Sequence, residues 1–101
     1  MQKVYSGFDW DKGNRGKCQR HGVSLEEIEA LFQGELAVYP DPQHSVNEER
    51  FLAIGKGLLG RYIFLAFTIR TQGPDRFIRP ISARYMHQKE VDHHGKENPD
   101  L

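Results

Sequence analysis

One cysteine among 101 residues, Cys18, rules out an intrachain disulfide, so nothing in the covalent chemistry points to an oxidising compartment. Long apolar runs are missing as well. The longest, Tyr62-Ile63-Phe64-Leu65-Ala66-Phe67, falls far short of the roughly 20 residues that a spanning helix needs, and the amino terminus lacks the apolar core of a signal peptide. A cytoplasmic protein without a membrane segment is the expectation. There is no phosphate-binding glycine loop, because Gly55, Gly57 and Gly60 are turn glycines without the following lysine and helix. Metal-ligand spacing is absent too: His87, His93 and His94 do not fall at H-x-x-x-H intervals, and Cys18 has no second cysteine. Neither a metal nor another cofactor is expected.

Net charge is also lacking, with 14 basic and 14 acidic residues, which argues against a generic nucleic-acid binder. The distribution along the chain changes that view. Residues 1–23 carry five basic and two acidic side chains, 24–49 none and seven, 50–90 eight and two, and 91–101 one and three. Basic segments therefore flank one acidic segment, a pattern that can offer phosphates a cationic face while the acidic part looks elsewhere.

The hydrophobic fraction of 38% and a mean hydropathy of -0.67 suit a small globular domain, and a chain of this length can bury one core. Residues 1–94 are read as a single domain and 95–101 as a flexible tail. Val4 to Trp10 has strand character, and Asp11 to His21 reads as a helix in which Gly13 and Gly16 each cost about 1 kcal/mol against alanine. Gly22 is placed to end it. Ser24-Leu25-Glu26-Glu27 is a capping box opening a second helix, whose buried stripe is Ile28, Leu31 and Phe32. Period-2 strands follow at Leu36 to Tyr39, Glu49 to Gly55, Arg61 to Arg70 and Arg76 to Arg84. In the last, Phe77 and Ile81 are expected on one face with Arg76 and Arg84 on the other, and Pro80 marks a bulge or an edge. A short helix over Met86 to His93 completes an α+β layer: an antiparallel sheet, two amino-terminal helices packed on one of its faces, and a short carboxy-terminal helix.

Phe8-Asp9-Trp10-Asp11-Lys12, Arg20-His21-Gly22, Glu49-Arg50-Phe51, Gly55, Arg70 and Ile81-Ser82-Ala83-Arg84 occur in an order and spacing that resembles the BrnT toxin family, from about Phe8 to Arg84. The family's Lys-His-Gly stands here as Arg20-His21-Gly22. The resemblance implies a RelE-like fold and an endoribonuclease toxin of a type II toxin-antitoxin system, inhibited by a BrnA-type antitoxin. DNA would be met only through that antitoxin. A catalytically silent relative that only binds such a partner, or a non-cleaving RNA-binding module, are the alternatives.

Metal-free RNA cleavage uses the ribose 2'-hydroxyl as nucleophile and needs proton transfer plus cations around the phosphate. His21, at a helix end beside Gly22, is the expected acid or base; the bland reading is a capping histidine. Arg50, Arg70 and Arg84 are the expected phosphate ligands, since guanidinium forks match phosphate and stay charged. Glu49 alternates with Arg50, so only one of them can line a site. Lys17 and Arg20 would extend the RNA track. Phe8, Trp10 and Tyr85 could stack on bases, although Phe8 and Trp10 are better read as core.

Overall fold

The computed structural model describes the backbone of residues 5–97 and the side chains of residues 5–93. Val4 of the expected first strand and residues 98–101 of the expected tail lie outside the described residues. The order is β1 (Gly7–Phe8), α1 (Lys12–Gln19), α2 (Leu25–Leu31), β2 (Leu36–Pro40), a 3-10 turn (Pro42–His44), β3 (Arg50–Lys56), β4 (Tyr62–Gln72), β5 (Asp75–Tyr85) and α3 (Gln88–Glu97).

Both early helices start from reciprocal side-chain caps. Asp11 accepts from the Asn14 amide and the Asn14 side chain accepts from the Asp11 amide, which opens α1 despite its two glycines. The same exchange between Ser24 and Glu27 opens α2, as the sequence indicates. α1 is two residues shorter at its carboxyl end than expected, because the chain turns at Arg20 and His21 before Gly22 takes φ +91°.

The five strands form one sheet in the order β1-β5-β4-β3-β2. β2 to β5 are antiparallel neighbours, as expected after Leu36. The sheet as a whole is mixed, however, because β1 pairs parallel with β5. β1 leaves the sheet through the helices and is joined to β5 by no turn, so nothing imposes the antiparallel sense. The β4–β5 connection is also tighter than the expected Thr71 to Asp75 loop: the strands pair out to Gln72 and Asp75, and Gly73 at φ +59° makes the turn ahead of Pro74.

Ile28 and Leu31 of α2 join Ile63, Leu65 and Phe67 of β4 in one buried cluster with Cys18, Val23, Ala53, Ile78 and Ala83. Phe32 meets Phe67 edge-on at 5.4 Å and Phe8 at 5.6 Å. Phe8 and Trp10 are therefore part of the packing, and the Trp10 indole donates to Glu29 at 2.9 Å. A side chain at Gly55 would meet Leu36 at 2.9 Å and Leu31 at 3.1 Å, so glycine is what lets α2 and β2 close over β3. Burial pushes the Cys18 thiol up to about 11, which leaves it a small apolar residue without nucleophilic character. Among the described residues no helix is long and apolar enough to cross a membrane.

Asn14 ties helix to sheet. Its amide nitrogen donates to the carbonyls of Asp9 and Pro80, both at 2.9 Å, in a buried position. Asn14→Ala removes one half of the capping exchange and leaves the Asp9 and Pro80 carbonyls without this donor, so urea unfolding is expected to show a loss of about 1–3 kcal/mol. An unchanged midpoint would mean that this link contributes nothing.

Candidate functional site

Alternation along β4 sends Ile63, Leu65 and Phe67 to the helices and Phe64, Ala66, Thr68 and Arg70 to the opposite face. The register places Arg50 of β3 and Arg79 of β5 on either side of Thr68, and Arg84 beside Phe64. Arg50, Arg70 and Arg84 thus share the face that the amino-terminal helices leave open, with Arg84 about 13 Å along the sheet from Arg50 at the strand rise of 3.3 Å.

Arg84 reaches this face through an irregularity. Ala66 pairs with Ser82 but Phe67 pairs with Pro80, which leaves Ile81 as the extra residue of a bulge. Ahead of it Ile78 and Pro80 are buried; beyond it Ala83 is buried and Arg84 turns outward. Uninterrupted alternation from Ile78 would have aimed Arg84 at the core. The bulge also corrects the expected pairing of faces, since Arg76, opposite Thr71, and Arg84, opposite Phe64, lie on different sides of the sheet.

Each arginine has an acidic neighbour, held with different closeness. Glu90 of α3 grips the Arg84 fork with two bonds of 2.8 Å while the guanidinium lies 4.9 Å from the centre of the Phe64 ring. Arg70 donates to Glu48 at 2.6 Å, and both side chains are substantially exposed. Arg50 stands 3.7 Å from Asp41 through Nε, an ion pair too long for a hydrogen bond, and that Nε is buried without a partner. Arg79, which the sequence reading passed over, is committed to Asp11 at 2.7 Å and Asp9 at 3.5 Å. Its hydrogen bond with Asp11 raises its already high pKa.

A histidine not singled out in the sequence shares Asp41 with Arg50. His44 Nδ1 lies 2.9 and 3.1 Å from the two carboxylate oxygens of Asp41, the same buried side chain that faces Arg50. Its signal was the Pro40-Asp41-Pro42-Gln43-His44 run: Pro42 opens a 3-10 turn, in which residues three apart eclipse one another. On the other side of the face, α3 and the sheet enclose a cavity of about 400 Å³ lined by Tyr39, Ile54 and Phe64 below and Met86 and Lys89 above.

The remaining expected residues stand elsewhere. Arg20 and His21 are exposed in the turn that follows α1, and Lys17 is exposed on α1, all in the helical layer. No hydrogen bond or ion pair among the described residues connects His21 with Arg50, Arg70 or Arg84. Tyr85 faces the helices. Its hydroxyl donates to Glu27 at 2.8 Å, a bond that raises its pKa, and the Arg61 guanidinium covers its ring at 3.8 Å. A base could stack there only by displacing Arg61.

Residues 10–90 match the family of the ribonuclease toxin BrnT of type II toxin-antitoxin systems. The chain belongs to that family. No curated protein matches it. The matched span takes in α1, all of β2 to β5 and the first turn of α3, so the BrnT domain includes every arginine described above and both Asp41 and Glu90. A type II toxin family implies an RNA substrate and an antitoxin partner.

The Arg84–Glu90 contact has a pH signature. The bond from Arg84, with a second from the His87 amide at 2.9 Å, lowers the Glu90 carboxyl from 4.5 to about 2. A lowered carboxyl contributes stability above its unfolded value and loses it as the pH falls through the folded one. The docking of α3 is therefore expected to weaken between pH 4.5 and about 2, modestly because the carboxylate is about a third exposed. Hydrogen exchange of the α3 amides checks this; protection that is flat across the window, or equally pH-dependent in Glu90→Gln, would contradict it.

Proposed function

We propose that this chain is an endoribonuclease toxin that cleaves cytoplasmic RNA without a metal ion and is silenced by a BrnA-type antitoxin. The observation that carries the reading is the gathering of Arg50, Arg70 and Arg84 on one face of the sheet within a ribonuclease toxin domain. A sheet that carries α1 and α2 on one face and the arginines on the other, with α3 over one end of the arginine face, also supports the RelE-like description of the fold.

RNA supplies its own nucleophile. The 2'-hydroxyl attacks the adjacent phosphorus, negative charge builds on the phosphate oxygens, and the 5' oxygen departs. Fixed guanidinium groups aimed at those oxygens stabilise the charge as it develops and need not reorganise to do so. Arg50 is the most available of the three, because Asp41 only approaches it. Arg84 can take a phosphate by exchanging it for the Glu90 carboxylate, which offers the same two oxygens to the same fork. An unpaired base next to that phosphate would find Tyr39 and Phe64 in the adjoining cavity. His21 lies in the helical layer, so proton transfer on this face falls to another group. An antitoxin that silences the enzyme is expected to cover the arginine face, whereas contact with operator DNA belongs to the antitoxin.

Purified protein incubated with labelled RNA in EDTA is expected to cleave it. Alanine at Arg50, Arg70 or Arg84 should lower the rate at least about tenfold, the effect of losing roughly 1.4 kcal/mol of transition-state stabilisation. Activity that disappears on chelation and returns with a divalent ion would overturn the metal-free reading. Salt-sensitive binding without cleavage would favour an RNA-binding module, and neither binding nor cleavage a silent antitoxin partner.

A further inference from the structure

We propose that His44, oriented by Asp41, is the catalytic base of this face, with Arg50 beside it as the phosphate ligand. The inference rests on the ribonuclease reading and adds to it the proton acceptor that His21 is not placed to be.

The loop that carries His44 is braced rather than loose. Asp41 is bonded to the start of β3, its amide donating to the Arg50 carbonyl at 2.9 Å. Ser45 Oγ donates to the Asp41 carbonyl at 2.7 Å and accepts from the Arg50 amide at 2.9 Å. The loop and the arginine strand thus form one unit, and a base on the first stays in register with a phosphate on the second. Such positional tolerance is what proton transfer requires.

The carboxylate that orients the histidine is buried, while the histidine side chain is 59% exposed. An ionised carboxylate can only accept, so the Nδ1 that lies 2.9 Å from it carries the hydrogen. In the neutral ring the lone pair then sits on Nε2, the nitrogen turned away from Asp41. This is the division of labour by which a carboxylate fixes the tautomer of a general base. Asp41 touches no substrate in this scheme; it is a positioning residue. It also approaches Arg50 through Nε, and no hydrogen bond among the described residues occupies that arginine's terminal nitrogens. Base and phosphate ligand are therefore set around one buried anion.

In the step itself His44 Nε2 takes the proton of the ribose 2'-hydroxyl. The 2' oxygen forms a bond to phosphorus, the P–O5' bond breaks, and the 5' oxygen leaves with a proton from water. The products are a 2',3'-cyclic phosphate and a 5'-hydroxyl, and His44 returns its proton to solvent. Atoms and charge balance without a further reactant.

The test compares cleavage of labelled single-stranded RNA by the wild-type chain and by His44→Ala, His44→Gln and Asp41→Asn, with thermal unfolding as the check on folding. Alanine and glutamine at 44 should both lower the rate by tenfold or more, in keeping with the usual effect of a general base. Glutamine keeps a donor toward Asp41, so a purely structural histidine would be rescued by it. Asp41→Asn should lower the rate and shift the ¹⁵N resonances of the His44 ring away from the Nδ1–H tautomer. Cleavage by either position-44 variant within tenfold of wild type overturns the proposal while leaving the ribonuclease reading intact, as does loss of activity in His21→Ala alone. Unchanged ring resonances in Asp41→Asn overturn the role given to Asp41. A wild-type chain that cleaves no RNA overturns the ribonuclease reading and this proposal with it.

Discussion

The burial of one face of the sheet against Ile28, Leu31 and Phe32 is the constraint on which the rest depends. Once Ile63, Leu65 and Phe67 are committed to that contact, the two-residue period of a strand leaves no freedom in where Phe64, Thr68 and Arg70 point. The antiparallel register then carries the same division to β3 and β5. Arg50 comes to stand next to Thr68, and Arg84 next to Phe64, without any contact made for the purpose of gathering charge. A one-residue slip of β3 or β5 would exchange the two faces and bury guanidinium groups in the apolar layer, a loss far larger than any surface ion pair could offset. The cationic face is thus as well specified as the core.

Electrostatics on that face is graded. Glu90 closes the Arg84 fork, Glu48 holds Arg70 through one short bond, and Asp41 stays at ion-pair distance from Arg50. Each of these carboxylates would compete with a phosphate for its guanidinium group. That competition would be strongest at Arg84, whose carboxylate partner is borne by a helix that also roofs a cavity. The acidic segment of the chain meanwhile divides between the layers: Glu27 is buried under Tyr85 and Glu29 caps the Trp10 indole, whereas Asp41 and Glu48 face the arginines.

Much of this was legible in the sequence. The Ser24–Glu27 box, the Ile28-Leu31-Phe32 stripe, the order of the four meander strands and the BrnT relationship all follow from short-range patterns, and the three arginines are recognisable as cations on strands. The rest was not, for physical reasons. A bulge is a local exception to period two, so the sides of Arg76 and Arg84 could not be read by counting, although Pro80 marked the place. The parallel pairing of Gly7–Phe8 with β5 is a contact across some seventy residues, of which a two-residue strand carries no trace. His21 was attractive because it follows a basic helix and belongs to a family triplet, yet a helix end says nothing about which face of the sheet it serves. His44 was passed over as part of a polar loop; only the 3-10 turn that follows Pro42 brings it over Asp41.

The proposed ribonuclease would bind RNA on the arginine face of the sheet and not on the helical layer. The most direct measurement is the map of amide shifts when ¹⁵N-labelled protein meets a 2'-O-methyl RNA oligonucleotide, which lacks the nucleophile and cannot be cut. Perturbations are expected to centre on Arg50, Thr68, Arg70 and Arg84 and to extend to Asp41–Ser45 and the first turn of α3. Perturbations confined to Lys17, Arg20 and His21, with the open face of the sheet silent, would contradict that placement.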